Sequence, residues 1–414
     1  MVAHRTGIGI GMGAGVDHLV RVGRSVGRAA MRRGGTRCGM TGTIVTLMGL
    51  AVAACGQAIP GSAMAPPGDS SSVAIPAGLD IGEEKVTGYV PPQGDPDRAW
   101  IAEGNRMLEA LVLPAEVEPA LTFPVEGIES VPVIDWTGFT GPNDRSVLID
   151  GAKVAVMVAR ADRETGSTRE VRAGMYRFES DKDVESAEKS IGYEWEKHRS
   201  VAVAGANDAK SVELVAGTVE SVVRVGPIIL LVRARAADSA AALKLAEAAL
   251  ARQLPLARAF VPTAQARITA LPLDRGGMLA RTMGSEHPGK RDIRAIGVLT
   301  LSMLERRLLN PTVLVDYRTA GVDLVGWNVS VVARARDREA AKGFARAWSA
   351  ASGNTPAAGV PVLGDAVSCA KSVSLNGFAC FVVVDRYVAR VLGDDLTTAH
   401  QRAAAQWLIL KEAK

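Results

Sequence analysis

The sequence predicts an α+β protein made of two tandem similar domains, each an antiparallel sheet with helices on one face, behind a signal peptide and a flexible tether. Three observations predict it. A short apolar run near the N-terminus ends in a cysteine. Period-two strand patterns are followed by amphipathic helices. These patterns then recur at offsets of 153 and 159 residues.

The chain has 414 residues, 48% of them apolar and 22% charged, an ordinary globular composition. Its net charge of +4 is concentrated at one end. Residues 1–54 hold seven arginines and a single acid, Asp17; residues 55–414 carry 41 basic and 43 acidic side chains, a net of −2. No basic block remains to hold a phosphate backbone, so nucleic acid is excluded as a partner.

Residues 40–54, MTGTIVTLMGLAVAA, are uncharged and too short to span a membrane comfortably, which needs about 20 residues. With Arg32, Arg33 and Arg37 before it, this run suits the apolar region of a signal peptide over residues 1–54. Val52-Ala53-Ala54-Cys55 looks like a bacterial lipobox, whose cysteine thiol accepts the lipid and becomes the mature N-terminus. The competing reading is a buried helix ending in a core cysteine. Two acyl chains on Cys55 would tether the protein lastingly to the outer face of the cell membrane, because each buried methylene contributes about 0.8 kcal/mol. Met31 is a second candidate start that would give a signal of ordinary length. Residues 55–78 are rich in Gly, Pro and Ser and read as the tether.

The first domain is expected over 79–260 and the second over 296–414, joined by a linker at 261–295 rich in Pro, Gly and charge. Met107-Leu108-Glu109 and Met303-Leu304-Glu305 open matching segments, each followed by a proline and strand-like residues. Ala187, Ile191 and Trp195 repeat as Ala340, Phe344 and Trp348 on the middle helix. Residues 218–236 repeat as 377–395, two strands each. Helices at 238–253 and 398–411 close the copies, the first with Asp238 as its N-cap. Each copy thus reads helix–β–α–β–β–α.

Export permits disulfides. Cys369 and Cys380 would close a 12-residue loop containing Asn376-Gly377, a tight-turn signal; two free core thiols are the alternative. A metal site would want more ligands near them, and no metal or cofactor is expected. His198, His287 and His400 stand alone in the sequence. Ser-x-x-Lys occurs at Ser186–Lys189 and Ser368–Lys371 without the partner motifs of penicillin-binding enzymes. The acid pairs Glu83-Glu84, Asp181/Asp183 and Asp394-Asp395 read as caps and turns. The tryptophans read as core. No catalytic constellation emerges.

Several stretches in this order resemble a family of two-domain lipoproteins of mycobacteria and related actinobacteria. They are Val52–Cys55, Leu79-Asp80-Ile81-Gly82 with Tyr89, Leu113-Pro114 through Pro119, Phe260–Thr263, Leu271-Pro272, Gly277–Thr282, Arg386–Ala389 and His400-Gln401. Tyr89 stands later after Gly82 than the pattern expects. The resemblance implies an envelope lipoprotein with N- and C-terminal domains and carries no catalytic residue with it. The expected function is non-enzymatic binding of an envelope lipid, peptide or protein. A structural scaffold and an envelope hydrolase are the alternatives.

Overall fold

The computed structural model describes residues 74–413 apart from 129, 135–150, 286–292, 309–312, 352 and 374–375. Cys55, Met31, His287, Trp136 and Pro311 lie outside the described residues. So do the apolar run and all of the tether before residue 74.

The first half runs through helices α1 (Pro96–Glu109) and α2 (Pro114–Val117), strands β1 (Phe123–Pro124), β2 (Ala152–Ala161) and β3 (Glu170–Phe178), then helix α3 (Asp181–Trp195). It ends with β4 (Arg199–Ser200), β5 (Lys210–Val215), β6 (Thr218–Val225), β7 (Ile228–Arg235) and α4 (Ser239–Ala259). The second half opens with β8 (Gly297–Thr300), α5 (Leu301–Arg307) and α6 (Val313–Thr319). It continues through β9 (Leu324–Trp327), β10 (Val331–Arg334), α7 (Arg338–Ser349), β11 (Asn354–Ala357), β12 (Val367–Ser372), β13 (Gly377–Val384), β14 (Tyr387–Gly393) and α8 (Leu396–Glu412).

Two seven-stranded antiparallel sheets result, in the orders β1-β2-β3-β7-β6-β5-β4 and β8-β9-β10-β14-β13-β12-β11. Adding seven to each strand number of the first gives the second, so the expected repeat holds as topology. The β6–β7 and β13–β14 hairpins keep the offset of 159, and both turn on a positive-φ residue, Gly226 (56°) and Asp385 (49°). The opening segments match less closely. The α1–α2 pair precedes the edge strand β1, whereas α5–α6 follows the edge strand β8.

Each copy has three strands before its middle helix and four after it, more than the expected pattern. The helices, expected on one face, cover both. Along β7 the side chains alternate: Ile228, Leu230 and Val232 join the core under α1 and α4, while Ile229 and Leu231 meet Val184, Ile191 and Trp195 of α3. In the second sheet Ala379 and Phe381 face Phe344 and Trp348 of α7, and α8 packs on the other side of β13 and β14. The central strands are therefore buried on both faces, which is why they read as continuous apolar runs such as Ile228–Val232.

One apolar core runs through both halves, from the α4 side of the first sheet through α1 and α5 to the α7 side of the second. The halves thus present opposite faces of the same fold to each other. Buried arginines cross this seam. Arg160 Nη2 donates to Leu308 O (2.8 Å) and Arg306 O (3.3 Å) at the C-terminal end of α5, and Arg306 Nε donates to Leu111 O (2.5 Å). Burial pulls the Arg160 guanidinium down to about 10.

The 261–295 segment, expected as a linker, is packed where it is described. Met278, Leu279 and Thr282 are buried, and Met283 N–H donates to Ser330 Oγ (2.8 Å). Its prolines and glycines shape a strap. Helix α4 likewise runs past Pro255 to Ala259, beyond the expected end at 253, because Leu254 and Ala257 beside it are buried in the core.

Residues 79–89, expected in the first domain, pack on the second. Gln401 Nε2 donates to Asp80 Oδ2 (2.9 Å), Arg402 Nε to Glu84 Oε1 (2.9 Å), and Tyr89 N–H to Thr282 O (3.0 Å). At Gly88 a Cβ would lie 1.7 Å from Ala280 O, so only glycine lets the two backbones pass. Among the described residues no helix is long and apolar enough to cross a membrane.

Candidate functional site

A cleft of about 310 Å³ lies between α1, the strap and the start of the second half. Helix α1 lines it with a stripe at helical spacing: Arg98, Ile101, Ala102, Asn105 and Glu109. Leu273 and Leu279 of the strap face this stripe, with Ile293, Ile296 and Met303 opposite. The Asn105 carboxamide is only 3% exposed, and its Oδ1 accepts no hydrogen bond. An unsatisfied buried amide oxygen costs about 1–3 kcal/mol. The amide is wedged against Gly297, where a Cβ would stand 2.6 Å from Nδ2.

The charges around the cleft divide into committed and spare. Glu109 Oε1 accepts from Thr300 Oγ1 (2.5 Å). Arg106 Nη1 donates to Glu103 Oε2 (2.5 Å) and Nη2 to Val261 O (3.1 Å). Arg98 lies over the Tyr89 ring (5.5 Å) and 3.6 Å from Asp95, with Nε making no hydrogen bond. Arg275 is exposed and pairs with no carboxylate among the described residues.

Behind the stripe, on the same helix, sits Glu103, fully buried. It takes Thr263 N–H on Oε1 (2.9 Å), Thr263 Oγ1–H on Oε2 (2.7 Å), and both Arg106 and Arg177. Arg177 is 3% exposed, donates also to Thr263 O, and stacks 5.1 Å from the Trp100 ring. Burial lowers its pKa, with Glu103 opposing that shift. This cluster fastens the entry of the strap to α1 and so holds one wall of the cleft. Gln253 does the same for the chain leaving α1: Nε2 donates to Ala110 O and Oε1 accepts from Val112 N–H, both at 2.7 Å.

Cys369 and Cys380 form a disulfide and face each other in the β12–β13 register, as the sequence suggested. The structure adds His400 from α8, whose ring lies within 4.8 Å of both sulfurs. The disulfide bond withholds the thiolates a metal would need, and His400 Nε2 is engaged with Ala358 O (2.7 Å). Nothing in the spacing linked His400 to this pair, because α8 reaches it only after the chain has turned through β14.

Other sequence candidates disperse. Ser186 and Lys189 are exposed on α3. Ser368 and Lys371 stand three apart on β12 and so point to opposite faces. Asp395 caps α8, Asp183 accepts from Ser180 Oγ (2.7 Å), and Glu84 holds Arg402. His198 ends α3 through its backbone bond to Trp195 O (2.9 Å). Trp100, Trp195, Trp327 and Trp348 are buried.

The stretches behind the family resemblance converge instead. Asp80 and Gly82 meet Gln401; Tyr89 meets Thr282 and Gly284; Arg281 lies 4.7 Å over the Tyr387 ring; Thr263 meets Glu103. They form the clasp that binds the strap and the N-terminal segment to the domains.

No curated protein and no solved structure matches the chain. Two family models match in succession: the domain of unknown function DUF7373, N-terminal, over residues 90–273, and the DUF7373 C-terminal domain over 302–413. The match boundaries agree with the two halves of the fold and leave part of the strap between them. With both domains present in order over well more than half of its length, the chain belongs to the two-domain DUF7373 family.

Proposed function

We propose that this protein is an exported, non-enzymatic binding protein of the cell envelope, held by lipid on Cys55 at the outer face of the membrane. The address rests on the sequence: basic residues, an apolar run, small residues and a cysteine, then a tether. The binding reading rests chiefly on the cleft. It lies between two halves, a common place for ligands. Its lining joins apolar side chains to a carboxamide whose Oδ1 accepts no hydrogen bond and to the exposed Arg275. Its lining residues include no nucleophile beside a base.

The test is intact native mass spectrometry of the chain extracted gently from membranes. The expected product begins at Cys55, carries acyl chains there, and holds a second mass that organic solvent removes. An N-terminus upstream of Cys55 without acyl chains would overturn the address. A lipidated chain with no second mass, and no partner on crosslinking, would overturn the binding reading.

A further inference from the structure

We propose that the cleft beside α1 takes a medium-length acyl chain bearing an anionic head group and a neutral hydrogen-bond donor, the chemistry of a medium-chain hydroxy acid. This rests on the binding reading above and names its ligand class. Four features carry it.

Size sets the length. A cleft of about 310 Å³ sits at the small end of ligand pockets, which run to about 300–1,000 Å³, and suits a single chain of medium length. A sugar would leave the apolar walls unmatched.

The walls set the body of the ligand. Ile101, Leu273, Leu279, Ile293, Ile296 and Met303 contribute no hydrogen-bonding group except the Met303 sulfur, which accepts from Thr300 N–H (3.5 Å). They reward a flexible hydrocarbon.

The charges set the head group. Arg106 is committed to Glu103, and Glu109 to the Thr300 hydroxyl. The Arg98 Nε faces Asp95 at 3.6 Å, so the spare capacity is Arg275, exposed and without a carboxylate among the described residues. A carboxylate or phosphate answers it, and a cation does not.

The Asn105 carboxamide sets the third element. Asn105 is one of the lining residues, and its Oδ1 is buried and accepts no hydrogen bond. A ligand hydroxyl would supply the missing donor. A plain fatty acid satisfies the walls and Arg275 but leaves this oxygen unmet.

The probes are 3-hydroxydecanoate, decanoate and decanol, titrated against the full chain in a maltoside detergent and read by native mass spectrometry. Decanoate should bind about 10-fold more tightly than decanol, as expected for a hydrogen bond to a charged group. The hydroxy acid should gain about a further 5-fold, as expected for a neutral one. Asn105→Ala should erase the second step and leave the first. Arg275→Gln should shrink the first and leave the second. Arg275 is exposed and Asn105 Oδ1 unpartnered, so both variants should melt like the parent, which a thermal scan checks. Equal binding of decanol and decanoate would overturn the anionic head group. A hydroxyl preference that survives Asn105→Ala would overturn the role of the carboxamide. If none of the probes binds while the extracted chain carries another removable mass, this ligand class falls and the binding reading stands. If the extracted chain is bare as well, both fall.

Discussion

Replacing Glu103 by alanine should destabilise the protein more than almost any other single change on α1. The carboxylate is fully buried and receives Thr263 twice, Arg106 and Arg177. Truncation leaves Arg177, 3% exposed, without its counter-charge. Removing one partner of a buried ion pair costs about 3–5 kcal/mol. Arg106 adds less, because its side chain is 39% exposed and can turn to water. Unfolding entropy of about 2.1 cal/mol/K per residue, taken over the compact unit Ile75–Lys414, comes to about 0.7 kcal/mol/K. The melting temperature should therefore fall by about 4–7 °C. Differential scanning calorimetry measures it. Glu103→Gln keeps an acceptor for Thr263 and should fall less. Glu103→Leu combined with Arg177→Met removes both charges and should recover part of the loss, since apolar replacement of a buried pair is close to neutral. The recovery is partial because Thr263 N–H still loses its acceptor. A drop below about 1 °C for Glu103→Ala, or a double variant no more stable than the single, would refute the view that this ion cluster holds the strap.

Two further outcomes are expected from the geometry. Replacing Cys369 and Cys380 together by alanine should cost at most about 3 kcal/mol, the chain-entropy value for a loop of this length, and melting with and without reductant measures it. The backbone ladder of β12 and β13 closes the same hairpin, so a much larger loss would mean that the disulfide does more than close it. Burial raises the Asp162 carboxyl, but hydrogen bonds from Thr168 Oγ1 and the Thr168 and Arg169 N–H groups outweigh it and hold the group down at about 2. A folded pKa below the unfolded value contributes stability above pH 3.8, and that stability is lost as pH falls through about 2. Asp162→Asn should flatten the stability profile between those values in acid melts, and an unchanged profile would contradict the assignment.

Much of the fold was legible because it rests on local patterns. The 159-residue offset tracks the β6–β7 and β13–β14 hairpins, where twist and a two-residue turn leave little room for insertion. Asp238 caps α4 as its side chain and position suggested, and the Cys369–Cys380 pairing reflects a short loop around a turn. The position of the helices was misread. A strand such as Ile228–Val232 is apolar at every residue, and that run already signals burial on both faces. The strap was misread for a related reason: Pro, Gly and charge mark irregular backbone equally in a free linker and in one packed against Ser330 and Gln406.

Residue order alone carried the expectation of an export address, the α+β class, the doubling of the domain and the cysteine pairing. Each depends on residues near one another in the chain or on a pattern repeated along it. Three-dimensional packing was needed to fix which face each half turns to the other, that residues 79–89 cross to the second domain, and that Asn105, Arg98 and Arg275 border one cleft. Those relations join side chains far apart in sequence, and neither periodicity nor local hydrogen bonding records such contacts.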